Sequence, residues 1–297
     1  MSFGAIAARP HCSDSIVTRI EEIRARRPEA ERRLTSPVRL FIPGLEEFMR
    51  AMPNHIARSS LFAPVARGRK KMHTGTILVS RADAVIKFWG EQLDEAQADV
   101  WMQAMHEAIR APLGESVTIN RAAFLRAIGR DTGNWQYGWL HRTMLALTFA
   151  MLVIEATKAG KPKMSIGHNN ALHMIEGFTY NSESEEYILR IDPRWRTMFG
   201  NREFALIDWD KRLQIKQGQD MAKALQRLIA TSSDTVQRHA LDWLRAKMQY
   251  NSPMRKFRDS LTAAMKELER LDVIGGSRIE VSTKGKEQAV WNRIVGN

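Results

Sequence analysis

The chain has 297 residues, 44% of them hydrophobic and 26% charged, proportions of a soluble globular protein with room for roughly two cores. Its 45 Lys and Arg against 33 Asp and Glu leave a formal net charge of +12, which points to a polyanionic partner, either nucleic acid or an anionic membrane surface. The one cysteine, Cys12, excludes an internal disulfide framework and a cysteine-based zinc module, and fits a reducing compartment.

No basic-then-apolar signal segment opens the chain, and the longest apolar stretch, residues 145–154, is too short to span a bilayer. A cytoplasmic protein without membrane contact is expected. Residues 13–34 read as a mixed-charge helical arm with Ile16, Val17, Ile20 and Ile23 as its apolar face and Pro28 as a breaker. Ser36-Pro37 marks a boundary. Residues 38–44 and 75–81 have the β-branched content of strands. Residues 94–111 follow as a helix with Val100, Trp101, Met105 and Ile109 inward.

Asn120 is placed to cap a helix that stops at Gly129, with Ile119 and Phe124 as a hydrophobic staple. Asn134 is placed to cap the next, whose stripe of Leu140, Met144, Leu147, Met151 and Ile154 runs on to Ala159-Gly160. Two strands around a polar turn at 181–184 come next. Helix, turn, longer helix, hairpin is a winged helix-turn-helix order. It recurs as helices over 220–230 and 235–249 (Ala240, Trp243, Leu244 and Met248 apolar), a long helix from Ser252-Pro253 to Gly275-Gly276, and two strands around Lys284-Gly285-Lys286. One fixed offset lays Leu140, Met144, Leu147 and Val153 on Leu261, Met265, Leu268 and Ile274, which supports a duplicated domain. The expected fold class is α+β, helix-rich, with two tandem winged helix-turn-helix domains over 36–190 and 191–297 after an arm over 1–35.

The second long helix divides along its length. Phe257, Leu261, Met265 and Leu268 share its core side, while Arg255, Lys256, Asp259, Ala263 and Lys266 turn outward and Arg258 sits at the margin. Cations in a first turn oppose the helix dipole, so a solvated helix end explains them less well than a DNA contact does, and Arg255, Lys256 and Arg258 are expected in the contact set. Asp259 suits a cytosine amino group or a pair with Lys256 or Arg255. Lys284 and Lys286, with Arg278 beside them, suit a wing over phosphates. The first long helix offers Trp135, Trp139 and Arg142 outward, for base stacking or for packing against the N-terminal segment or another subunit. Arg67, Arg69, Lys70 and Lys71 form a dense basic loop for phosphates or single strands. The chain has no phosphate-binding GxxxxGK[ST] loop and no His-x-His pair, and His168 and His173 read as ordinary polar residues. Neither catalysis, a metal nor a cofactor is expected.

Several long words carry a resemblance: A-M-P-N-H-I-A-R-S-S-L-F-A-P-V-A-R-G-R-K-K, V-T-I-N-R-A-A-F-L-R-A-I-G-R, F-G-N-R-E-F-A-L-I-D-W-D-K-R-L-Q-I, D-M-A-K-A-L-Q-R-L-I-A-T-S-S-D and S-T-K-G-K-E-Q. Over about residues 39 to 289 the chain resembles the TrfA-type plasmid replication initiators, and it departs from the family pattern over 148–181. The resemblance implies a bacterial protein with two winged-helix domains that binds direct repeats (iterons) in a plasmid origin and helps open an adjacent AT-rich element. It also implies contact with that single-stranded DNA, recruitment of host DnaA, DnaB helicase and the sliding clamp, and a homodimer in equilibrium with the DNA-binding monomer. Leu61 and Phe62 match a Leu-Phe pair tied to clamp contact, and two core residues at a strand end would look the same. A winged-helix transcriptional repressor without a replisome role shares the DNA chemistry and is the alternative.

Overall fold

The computed structural model describes residues 36–294, except 66, 67, 69, 159, 160 and 169. The expected arm over 13–34, Cys12, Arg67, Arg69 and Ala159-Gly160 lie outside the described residues.

Strand β1 (Met49–Pro53), helix α1 (Asn54–Ala57) and strand β2 (Phe62–Ala63) precede a hairpin of β3 (Met72–Ile77) and β4 (Ala84–Glu91). Strand β5 (Leu93–Asp94) runs straight into α2 (Glu95–Ala108). Asp94 and Gln97 form a reciprocal capping box there, each side chain accepting the other's backbone N–H, so two orphan donors of the first turn are satisfied. Then come β6 (Ser116–Asn120), α3 (Arg121–Ala127) and α4 (Asn134–Phe149). An excursion of β7 (Met151–Lys158), β8 (Lys161–Ile166) and β9 (Leu172–His173) precedes the hairpin of β10 (Gly177–Asn181) and β11 (Glu186–Arg190). After α5 (Trp195–Met198), β12 (Phe204–Asp208) and α6 (Trp209–Leu213), the chain continues through α7 (Asp220–Ile229), β13 (Val236–Ala240), α8 (Leu241–Lys247), α9 (Met254–Arg270), β14 (Ile274–Val281) and β15 (Glu287–Arg293).

One unit therefore occurs twice: helix, strand, short helix, long helix, hairpin. In each copy the hairpin's second strand takes the centre of a three-stranded antiparallel sheet, β10-β11-β6 and β14-β15-β13. The short helices begin at Arg121 and Leu241, and the long ones end at Phe149 and Arg270, so the offset that aligned the apolar stripes aligns the elements to within one residue. Leu140, Met144 and Leu147 lie in one core, and Leu261, Met265 and Leu268 in the other. The first core extends to Trp209, and the second begins at Ile215.

Asn120 caps α3 as expected, accepting from the N–H groups of Ala122 and Ala123, both at 3.0 Å. Other expectations change. Residues 38–44 form no strand, because Pro43 and Gly44 (φ +77°) turn the chain after a single bridge between Val38 and Leu113. Helix α4 stops at Phe149, not at Ala159-Gly160. Leu152, Ile154 and Ala156 are buried at alternate positions on β7, paired with β4, so a period of two prevails where helical spacing had seemed to continue. Residues 235–249 are not one helix. Their first part is β13, whose inward residue is Gln237, a polar side chain that hides the alternation. Gln237 donates to the carbonyl of Ile229 at 3.0 Å and accepts from the indole of Trp291 at 3.1 Å. Asn134 and Ser252 do not cap the long helices. Gly133 and Pro253 occupy those positions without a side-chain bond. Helix α9 ends at Arg270, and Gly275 and Gly276 belong to β14, where Gly276 (φ +62°) falls at a register shift against β15.

Candidate nucleic-acid interface

The second unit builds its outer surface around α9. Phe257, Leu261, Ala264, Met265 and Leu268 are buried in its core, and Arg255, Lys256, Asp259, Ala263 and Lys266 are exposed on the opposite side. No acidic residue occupies the first turn. Among the described residues no ion pair engages Arg255, Lys256, Lys266 or Asp259, so the expected alternative of Asp259 paired with Lys256 or Arg255 is not seen. A helix N-terminus with free amides and two uncompensated cations attracts phosphate.

Arg258 is different. It is half-buried and ion-paired with Glu287 of β15, which makes it a strut between the helix and the hairpin and removes it from the set of free cations. The strut brings the hairpin close to the front half of α9. At the hairpin's far end Lys284 and Lys286 are exposed around Gly285, whose φ of +70° closes the turn. Arg278 is exposed but bonded to Glu280 at 2.7 Å, so part of its charge is spent inside the strand.

Two residues missed in the sequence position this front. The guanidinium of Arg245 donates to the carbonyls of Tyr250 at 3.2 Å and Ser252 at 3.0 Å. The phenol of Tyr250 bonds the Lys256 carbonyl at 3.3 Å and the Ser260 hydroxyl at 3.0 Å. Together they fix the turn from which α9 starts. The signal for them was a tyrosine just ahead of the Ser-Pro start and an arginine five residues before it.

The first unit presents a different front. Arg142 is exposed and Trp135 is 57% exposed. Trp139, expected outward, is half-buried against the first core with the Arg130 guanidinium 3.5 Å from its ring centre. Arg121 lies 3.8 Å from the ring centre of Tyr137 and donates to the hydroxyl of Tyr180 at 2.6 Å. Beneath it His141, Phe178, Tyr180 and Tyr187 form an aromatic cluster between α4 and the hairpin. Burial, and then Tyr180, push the Tyr187 phenol up to about 12, which keeps it neutral.

The basic loop is only partly described. Lys71 is exposed, whereas Lys70 is drawn onto the start of α2 by Asp94 at 2.7 Å and Gln97 at 2.8 Å. It is a structural cation, not a free one. Leu61 and Phe62 are both fully buried, with Phe62 on β2 paired to Leu93 of β5; neither stands at the surface. His173 bonds the Thr148 carbonyl at 2.6 Å. His168 has a carboxylate beside it, Glu155. Among the described residues no group of three or more His, Cys, Asp or Glu is arranged to hold a metal, and no helix is long and apolar enough to cross a membrane.

No family model matches the chain. The plasmid replication initiator protein TrfA of Escherichia coli is 24% identical over 169 residues, which is 55% of this chain and 42% of TrfA. The chain is distantly akin to plasmid replication initiators. The match thus spans less than half the length of that relative. A crystal structure of domains 2 and 3 of RctB superposes with a TM-score of 0.50 at 12% identity, over 82% of this chain and 99% of the other. A second structure of RctB domains 2-3 gives 0.44 at 11% identity, over 81% and 96%. The first of these likenesses concerns the fold alone: a mixed α+β chain of several helices and small sheets.

Proposed function

We propose that the chain is a sequence-specific DNA-binding initiator of plasmid replication, reading direct repeats at an origin through two winged helix-turn-helix domains. The observation that carries this reading is the exposed front of α9, with Arg255 and Lys256 in no ion pair among the described residues and the Lys284–Lys286 tip tethered alongside through Arg258 and Glu287. The repeated unit and the similarity to TrfA support it. The first domain would end after Trp209, where its core does, later than the expected boundary at 190. The second domain supplies base reading from α9 and phosphate contact from its wing. The first supplies a less basic front through Arg142 and Trp135.

Binding needs no chemistry beyond hydrogen bonds and counterion release, so the function proposed is non-catalytic. The sequence resemblance extends it to opening an AT-rich element and to host DnaA, DnaB helicase and sliding clamp as partners. A clamp contact through Leu61 and Phe62 would require residues 59–63 to leave the core. Hydroxyl-radical footprinting on the duplex that the chain selects from a random pool tests the reading. Two protected major-groove segments about one helical turn, roughly 10 base pairs, apart are expected; absence of any selected sequence would refute it. Maintenance of an origin plasmid with the protein supplied in trans separates an initiator from a repressor.

A further inference from the structure

Helices α2 and α7 hold equivalent places in the two units, and they meet across a buried ionic cluster. Glu95 and Asp99 of α2 face Arg212 of α6 and Lys223 and Arg227 of α7. The side chains of Glu95, Arg212 and Arg227 are 0% exposed, and that of Asp99 is 6% exposed. Arg212 reaches Glu95 at 3.1 Å and Asp99 at 2.5 Å, and Lys223 reaches Asp99 at 2.6 Å. Arg227 donates to both oxygens of Glu95 and to the Phe62 carbonyl at 3.2 Å. Arg212 also donates into the second unit, to the Lys223 carbonyl at 3.0 Å and to the Gln226 side-chain oxygen at 3.3 Å. The seam continues through Lys247 of α8, which donates to the Ser59 carbonyl at 3.3 Å, and through Gln249, which donates to the Gln92 side chain at 2.6 Å.

Apolar faces slide over one another at small cost, but buried ions do not. A displacement of an ångström leaves a desolvated charge without its partner, and such a loss is large. Burial raises the pKa of Glu95 and of Asp99, but Arg227 with Arg212, and Arg212 with Lys223, outweigh it and hold both carboxyls below their usual range. Both therefore remain ionised and demand their partners. Any other placement of the two units would part these buried ions, and buried polar groups are best attested in setting such a register.

We infer that this cluster is a ruler: Glu95, Asp99, Arg212 and Arg227 are positioning residues that fix the separation of the fronts of α4 and α9, so that one chain accepts two half-sites at a single spacing along a duplex. The inference rests on the DNA-reading function proposed above.

The full chain, in wild-type form and as Arg212→Met, is titrated by fluorescence anisotropy against three duplexes. These are the site that the wild type selects from a random pool, the same site with one or two base pairs inserted between its halves, and the C-terminal half-site alone. The wild type is expected to lose at least tenfold in affinity on insertion. Arg212→Met is expected to bind the half-site like the wild type and the uninterrupted site more weakly, and to lose less than threefold on insertion. Should Arg212→Met fail to fold, Asp99→Asn, which keeps the volume but only one accepting oxygen, carries the same expectation at smaller size. A variant that folds and keeps the full insertion penalty overturns the ruler while leaving the DNA-reading function intact. A wild type that selects no site overturns both.

Discussion

Arg258 of α9 is ion-paired with Glu287 of β15, so a residue expected in the DNA contact set also links the helix to the hairpin. This assignment makes a distinctive prediction. If Arg258 touched DNA directly, removing the acid beside it would free its charge and strengthen binding. As a strut, Glu287→Gln should weaken binding to the selected duplex to about the extent that Arg258→Ala does. The pair is close to half-exposed on both sides (41% and 38%), so the stability change should stay within about 1 kcal/mol. Anisotropy titrations of the two variants decide it, and tighter binding by Glu287→Gln would discard the strut.

The burial of Leu61 and Phe62 predicts a folding defect. Leu61→Ala should lower the free energy of unfolding by roughly 2–5 kcal/mol, since it deletes a fully enclosed side chain. Urea denaturation measures this. A loss below about 0.5 kcal/mol, typical of surface positions, would mean that the segment does not rest in the core.

Lys247 gives the molecule a pH dependence whose sign can be worked out. Burial, and then Arg227, bring its pKa down to about 7 from 10.5. Between those values the unfolded chain holds a proton that the folded chain has released, so stability rises with pH, by at most ~1.4 kcal/mol per unit. Below about 7 both states are protonated, and the cost of burying the ammonium is fully present. Lys247→Met removes the term. It should be more stable than the wild type at pH 7, with the difference shrinking by pH 9. A difference that stays constant or grows, measured by urea midpoints at both values, would contradict this account.

Much of the repeated unit could be read from spacing alone. The stripe of Phe257, Leu261, Met265 and Leu268 is strictly helical, and Asn120 has the geometry of its cap. Misreadings occurred where local and tertiary signals part. Met151 and Ile154 satisfy a helical spacing by coincidence, and only pairing with β4 reveals the strand. Strand β13 was hidden because its inward residue is Gln237, whose polarity is tolerated only through its bonds to Ile229 and Trp291. The exposed cations Arg255, Lys256 and Lys266 were legible as one helix face. The loss of Arg258 to Glu287 and of Lys70 to Asp94 was not, because each partner lies far along the chain or across a turn. The ionic cluster is hidden for the same reason: Glu95 and Arg227 lie far apart in the chain and meet only when α2 and α7 are brought together.

The central claim is that the front of α9 reads DNA sequence. The most direct measurement compares wild type with Arg255→Ala/Lys256→Ala by anisotropy on the selected duplex and on a random duplex of equal length, across a series of salt concentrations. Each lost base contact should cost about 1–3 kcal/mol on the selected duplex, and each lost phosphate contact should flatten the salt dependence by about one unit. The account predicts that the double variant binds the two duplexes nearly alike, while unchanged discrimination between them would contradict it.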